Sequence, residues 1–348
     1  MVPVVDLSRR GQRFASRFAK ATERIAASGS FLLGAELSAF ESEFAEWLGA
    51  RDCVAVSSGA NALQLALTAA GIGTGDEVLV PAFTAVPTAS AVAAAGAIPR
   101  AIDVDPRTAC ITSESIEAGR TAGTKAVIVV HLYGYPADIP DTDLLVVEDA
   151  AQAHGALHDP GRSAATAYSF YPTKNLGGIG DGGAVVTDDA ELAERVRRLR
   201  VHGMTEQYVH EVVSQNFRLS EIEAAWLRLA LEGLTADVEQ RRAIVRRYRQ
   251  AAPDLCWQTD NPSHAYHLAV FRSADRAAAR AALEAGGVAS AIHYPVAITQ
   301  QPAYRELAHA SCPQAEAWAA ECISVPCFPE MTEAEVDRVC AALAGLGR

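Results

Sequence analysis

Apolar positions along this chain recur with two different periods, and the change between them divides it. Over residues 12–28, Phe14, Phe18, Ala21 and Ile25 fall three or four apart, which predicts a helix with one buried stripe, stopped at Gly29. A second helix is predicted over 37–48, with Leu37, Phe40, Phe44 and Trp47 or Leu48 inward and Gly49 at its end. The turn between them reads GSFLLG. Exposing Phe31 and two leucines there is unfavourable, so the patch is expected to cover a neighbouring subunit or a ligand, with Phe31 a candidate substrate contact.

From residue 54 short apolar runs alternate with helical stretches: strand 54–56, helix 60–70, strand 77–81, helix 84–95, strand 98–104, then KAVIVVHLYG and LLVVEDA. That rhythm predicts a mostly parallel sheet with helices on both faces. After residue 187, DDAELAERVRRLR predicts a helix with Asp188 as N-cap and Glu191 completing a capping box. Its arginines, Arg195, Arg197, Arg198 and Arg200, read as a basic patch or as a solvated helix end, and the second suits the helix dipole. Ser220 and Glu223 predict another capping box, opening a helical stretch to Tyr248. Further on come loop and strand over 256–270, a helix over 274–284, an edge of a smaller sheet over 288–292 and a helix over 333–346. The strand–helix rhythm ends near residue 240. The expected division is a large domain, 1–240, carrying the N-terminal helices, and a small C-terminal domain, 241–348.

Candidate chemistry gathers in 144–187. A buried apolar strand ends on Glu148 and Asp149, then Ser169 and Lys174 lead into a glycine-dense turn. Open α/β sheets bind ligands at strand carboxyl ends. An acid there, with a lysine among small residues, suits an aldehyde cofactor held as a Schiff base, and a solvated lysine in a loop is the other reading. At 57–59 a strand feeds through serine and glycine into a helix, leaving backbone N–H groups for an anion or forming a plain βα turn. The GxxxxGK and GxGxxG fingerprints are absent, which removes the main support for a nucleotide-triphosphate or NAD-linked fold.

Composition narrows the classes. With 348 residues, half of them hydrophobic, a sizeable core is available. A net charge of -12 argues against nucleic acid as the main partner while allowing a local phosphate pocket. No signal-peptide core and no unbroken apolar stretch of about 18 residues is present, so no membrane association and a cytoplasmic location are expected. Seven cysteines without a CxxC pair read as buried free thiols, and scattered histidines without HExxH give a metal centre no support.

The segments VPVVDL, GSFLLG, FESEFAEWLGA, VAVSSGANALQLAL, GDEVLVPAFTAVPTASAV, VIVVHLYGYPAD, VEDAAQAHGA, YSFYPTKNLGGIGDGGAVVT, QNFRLSEIEAA and IHYPVA follow one another along nearly the whole chain. In them the chain resembles the DegT/DnrJ/EryC1/StrS family of pyridoxal-phosphate-dependent sugar aminotransferases. The pairing of EDAAQAHGA with SFYPTKNLG is the most specific part. The resemblance implies an α/β, aspartate-aminotransferase-like (fold type I) architecture: a three-layer αβα large domain with a mostly parallel sheet, plus a smaller C-terminal α+β domain. It implies pyridoxal 5'-phosphate as cofactor, L-glutamate as amino donor, a nucleotide-linked keto-deoxysugar as acceptor, and a homodimer with shared active sites.

Residue by residue, the resemblance makes Lys174 the catalytic, cofactor-bearing lysine and sets Asp149 against the pyridine nitrogen. Gln152 would contact the phenolic oxygen. Ser169 and the Gly59–Ala60 backbone would hold the phosphate, with Asn216 supplied to it by a second subunit. His293 and Tyr294 resemble residues near the substrate, or else pack a turn. VPVVDL and HLYGYPAD resemble members that aminate C3 of a 3-keto-6-deoxyhexose. Amination at C4, amination of a ketocyclitol, and a catalytically idle or regulatory cofactor-binding protein are the alternatives. Two positions depart from many relatives: Ala60 lacks a hydroxyl for the phosphate, and Ala85 lacks an aromatic ring to cover the cofactor. Lys174 argues against the sugar dehydratases that carry histidine there.

Overall fold

In the computed structural model, residues 1–156, 162–304 and 311–346 are described. Seven strands, β1 (Asp52–Val56), β2 (Glu77–Pro81), β3 (Ile98–Ile102), β4 (Thr124–Val130), β5 (Leu145–Asp149), β6 (Ala165–Ser169) and β7 (Gly183–Thr187), form one sheet in the order β1-β7-β6-β5-β4-β2-β3. Only β7 runs against the others, antiparallel to β1 and β6, so the mostly parallel sheet is as expected. Both faces are covered, which is why β2 and β4 read as continuous apolar runs.

Alternate residues of the strands feed two cores. Val54, Val56, Ala165, Ala167 and Val185 pack with α3 (Gly59–Ala69), α4 (Val86–Ala94) and α6 (Ala190–Leu199). Cys53, Ala55, Tyr168, Ala184 and Val186 pack with α1 (Leu7–Ser28), α2 (Ala35–Leu48) and α7 (Glu221–Leu231). On that second face Trp226 receives Phe14 and Phe18 edge-on at 5.5 and 5.2 Å. The result is helix, sheet, helix. Gly29 and Gly49 end α1 and α2 with φ of 69° and 70°, the left-handed stop that glycine allows. The short α5 (Ser113–Gly119) lies between β3 and β4 in the chain.

A second layer system uses α8 (Leu234–Ala251), α9 (Arg276–Ala285), α11 (Glu333–Leu346) and an antiparallel sheet of β10 (Cys256–Trp257), β11 (Ala269–Arg272) and β12 (Cys322–Val325), while α10 (Pro313–Glu321) sends Ala315, Trp318 and Ala319 into the first core. Its core joins Ile244, Tyr248, Phe271, Ile323 and Val336, and Val2 returns to pair with Val288. β8 (Met204–Glu206) and β9 (Val209–His210) form a separate hairpin. Among the described residues no helix is long and apolar enough to cross a membrane. Cys53, Cys110, Cys256, Cys322, Cys327 and Cys340 are free thiols, four of them buried.

Several local expectations shift. The cap of α6 is Asp189, whose carboxylate accepts from Glu191 N–H at 2.8 Å and Leu192 N–H at 3.1 Å; Asp188 instead accepts from Arg51 N–H. Only the later acid stands directly before the first helical residue, where its oxygen reaches the free donors. The end of α6 is not simply solvated, because Arg200 is buried against Glu41 (2.5 Å) and the Ala55 carbonyl (3.0 Å). Ser220 does cap α7, but Glu223 turns inward and accepts from Ile179 N–H (3.0 Å) instead of closing the box. The long helical stretch breaks at Gly233 into α7 and α8. Residues 288–292 touch the small sheet through one bridge, Ala291 to Ser324, and form no strand.

Candidate active site

Lys174 follows β6 in a tight turn, its N–H donating to the Tyr171 carbonyl at 2.8 Å. The buried Arg10 of α1 reaches across to the carbonyls of Lys174 (3.0 Å) and Pro172 (3.1 Å). Asn175 donates to the Ala265 carbonyl at 2.9 Å. The backbone bearing the lysine is therefore held from two sides. Burial lowers the pKa of its amine to about 8, against the opposing pull of the Asp149 charge. A lysine so placed has a substantial neutral fraction near physiological pH and can act as nucleophile and proton carrier.

Asp149 ends β5 and is buried. Burial raises its pKa, while hydrogen bonds from Thr88 Oγ1 (2.8 Å) and Ala151 N–H (3.1 Å) and the charge of Lys174 favour the ionised form. The neighbouring acid has another job. His131 Nδ1 accepts from Ala137 N–H at 3.0 Å, so Nε2 carries the proton and donates to Glu148 at 2.8 Å. Ser163 and Thr166 donate to the same carboxylate. Glu148 thus fastens the sheet, and Asp149 is left for the site.

Gln152 accepts from Tyr133 N–H at 2.6 Å and donates to Tyr294 Oη at 2.9 Å. Tyr133 reaches this position with φ of 62°, followed by Gly134 at 97°, a left-handed pair that a non-glycine residue adopts at a cost. Its hydroxyl donates to the His293 carbonyl. His293 Nδ1 lies 2.9 Å from Ser324 Oγ, and burial, then Lys174, lowers its pKa. Burial pushes the Tyr294 hydroxyl up to about 12. Lys174, His293 and Tyr294 line one cavity of about 370 Å³, together with Tyr171, Arg241 and His267.

The residues for a phosphate converge where α3 begins. Ser58 caps the helix, accepting from Asn61 N–H at 3.1 Å, and the first N–H groups, at Gly59 and Ala60, lie in the turn that lacks intrahelical acceptors. A Cβ on Gly59 would sit 2.6 Å from Ser169 Cβ, and one on Gly183 would collide with the Ser58 carbonyl. That close approach builds a cradle of small groups at the helix N-terminus. With a buried carboxylate at Asp149 and a lysine of lowered pKa, these residues fit pyridoxal phosphate.

Of the candidate residues only Lys174, His293 and Tyr294 line that cavity, and two of the others are turned to the surface within one chain. Asn216 is exposed and accepts from Arg218 Nε at 2.8 Å; it is absent from the lining of the Lys174 cavity. Phe31 is 52% exposed, outside that cavity as well. Its turn is fixed by Glu221, whose carboxylate accepts from the N–H groups of Gly34 (2.8 Å), Glu36 (2.8 Å) and Leu37 (3.1 Å) and so caps α2 from α7. Thr88, Arg10, Tyr133 and Glu221 were not legible as site residues. Only Thr88 carried a signal, four positions after Thr84 in the segment that follows β2.

Comparison with known proteins agrees with this geometry. The profile of the DegT/DnrJ/EryC1/StrS aminotransferase family matches residues 12–344. The chain is 40% identical over 360 residues to the "Erythromycin biosynthesis sensory transduction protein EryC1" of Saccharopolyspora erythraea, covering 98% of each. It is 39% identical to the "dTDP-3-amino-3,4,6-trideoxy-alpha-D-glucose transaminase" of Streptomyces venezuelae, covering 98% of this chain and 95% of that one. The crystal structure of S. venezuelae DesV in complex with a ketimine intermediate superposes with a TM-score of 0.95 at 38% identity, over 100% of this chain and 98% of the other. The chain belongs to the DegT/DnrJ/EryC1/StrS aminotransferase family and is a pyridoxal-phosphate-dependent transaminase of fold type I.

Proposed function

We propose that the protein transfers an amino group from L-glutamate to C3 of a nucleotide-linked 3-keto-6-deoxyhexose, in the cytoplasm, at sites shared by the two subunits of a homodimer. The observation that carries this reading is the cavity in which Lys174, of lowered pKa, shares walls with His293 and Tyr294. The S. venezuelae relative, whose name places the new amine at C3, supports the choice of carbon. The exposed Asn216 and the apolar turn around Phe31, Leu32 and Leu33 support a second subunit that completes the phosphate site. A large domain of 1–240 and a small one of 241–348 are part of the same reading, with α8 running through the junction.

Bound pyridoxal phosphate supplies an aldehyde to take up the amino group and a ring that accepts electrons. Asp149 holds a proton on the pyridine nitrogen by its charge, and Thr88 keeps that carboxylate oriented. Lys174 Nζ would hold the cofactor's aldehyde carbon at rest and, when free, would carry a proton between the donor's Cα and that carbon, in one direction with the amino donor and in the other with the sugar. Gln152, tied to Tyr133 and Tyr294, holds the phenolic oxygen, and the Gly59–Ala60 amides with Ser169 hold the phosphate.

The test is single-turnover spectroscopy. Protein preloaded with pyridoxamine phosphate should return to the aldehyde form with the 3-keto sugar about a hundredfold faster than with the 4-keto isomer or a ketocyclitol, because the ketone must meet one fixed amine. Product NMR locates the nitrogen. Nitrogen at C4, or on a free cyclitol, would discard the C3 assignment.

A further inference from the structure

Lys174 sits in a closed loop whose far end is held by one buried acid. The backbone of Phe170 closes residues 170–182 on themselves, accepting from Gly178 N–H at 2.7 Å and donating to the Gly182 carbonyl at 2.8 Å. Arg10 grips the near end through the Pro172 and Lys174 carbonyls. The glycine end is gripped by α7: Trp226 Nε1 donates to the Gly177 carbonyl at 3.0 Å, and Glu223 accepts from Ile179 N–H at 3.0 Å. Gly180 N–H also favours the Glu223 carboxylate, and a Cβ on Gly178 would overlap its Oε1. The acid therefore fills the inside of the glycine turn. Glu223 is 6% exposed, and the charge it meets from the loop is Asp181, of its own sign. The charged groups of the packed helices are committed elsewhere. Arg10 on α1 also faces Glu330, Glu36 and Glu43 on α2 pair with Arg228, and Glu221 caps α2.

An ionised carboxylate offers acceptors on both oxygens, whereas the protonated acid turns one of them into a donor facing N–H groups that cannot accept. We propose that Glu223 is a positioning residue for Lys174: its carboxylate holds the glycine end of the lysine loop through the Ile179 and Gly180 amides, and taking up a proton loosens that hold. The proposal rests on the reading of Lys174 as the reactive amine. Burial, with Asp181 adding to it, pushes the Glu223 pKa up to about 7 against the pull of the two amides, so the release falls near neutrality. Stability runs the other way. A native pKa above the ordinary carboxylate value means that the folded protein holds this proton more tightly than the unfolded chain does. The group's contribution to stability is therefore lost as pH rises towards about 7, while the loop becomes better held. The two opposite signs separate positioning from simple support of the fold.

The experiment compares wild-type holoenzyme with Glu223→Gln, whose amide mimics the protonated acid. Losing a hydrogen bond to a charged acceptor should lower the hydrogen-exchange protection of the 175–182 backbone about tenfold. In wild type that loss should appear on acidification from pH 8.5 to 6, with a midpoint near 7, and in the variant it should be present at both pH values. The ratio of wild-type to variant rates in the glutamate half-reaction cancels the other titrating groups. It should be about threefold or more at pH 8.5 and close to one at pH 6, with the loss in kcat and not in KM. Over the same rise in pH the melting temperature of wild type should fall relative to the variant. Protection that ignores pH in wild type would overturn the proposal, and that titration decides alone should the variant not fold. A rate ratio that stays flat while protection changes would overturn it equally, since the acid would then support the loop without placing the amine. Borohydride label on a lysine other than Lys174 would instead count against the reading on which the proposal rests.

Discussion

Thr88 Oγ1 donates to Asp149 across 2.8 Å, linking the first turn of α4 to the carboxyl end of β5. A hydroxyl on α4 therefore helps keep a buried acid ionised, because this bond lowers a pKa that burial raises.

Thr88→Val keeps the shape and removes the bond. A hydrogen bond to a charged group contributes about 1.5–3 kcal/mol, so cofactor binding should weaken roughly 10- to 100-fold. The Asp149 pKa should rise further, moving the acidic limb of activity to higher pH. Absorbance titration with pyridoxal phosphate at several pH values checks both. An unchanged affinity would separate Thr88 from the cofactor's acid.

Capture of the cofactor by the apoenzyme requires a neutral Lys174. Its rate should rise with pH and level off above about 8, the position to which burial lowers that amine. Asp149 opposes the lowering, so Asp149→Asn should move the midpoint further down. Stopped-flow absorbance across pH 6–10 reads the midpoint. One at ordinary lysine values, or one that moves up in the variant, would contradict the electrostatics.

Ala85 sits before α4 with an extended backbone and partial exposure, at the position where the family resemblance leads to the expectation of an aromatic ring. Ala85→Phe should tighten cofactor binding by a few-fold, since a ring contact contributes about 0.5–1.5 kcal/mol. Equilibrium dialysis of the two proteins gives the ratio. No gain would mean that another group already covers the ring.

A shared site predicts complementation. Mixing Lys174→Ala with Asn216→Ala chains should restore part of the activity that each lacks, because one hybrid site regains both residues. Absence of recovery, with subunit exchange verified by mass spectrometry, would refute Asn216 as a group supplied in trans.

Much of the architecture was readable because burial writes itself into periodicity. β2, β4 and β5 lie between two helical layers and carry unbroken apolar runs, and the stripes of α1 and α2 turn inward. β6 was harder, since ATAYS has neither a long apolar run nor a turn signal, and α10 is too weakly patterned to stand out. Lys174, Asp149, Gln152 and Ser169 were legible as candidates through motifs close together in the chain. Their supports were not. Arg10 meets Pro172 and Lys174 from 162 and 164 positions away, and Glu221 caps α2 from 184 or more, separations at which no local spacing rule operates. The cap at Asp189 shows the opposite limit, where two adjacent acids differ only by which one faces the helix.

The most direct measurement is to reduce the holoenzyme with borohydride, digest it, and locate the modified peptide by mass spectrometry. The pyridoxyl group should be found on Lys174, with near-complete loss of label and of the visible cofactor band in Lys174→Ala. Label on any other lysine, or an unaltered band in that variant, would contradict the placement of the chemistry in this cavity.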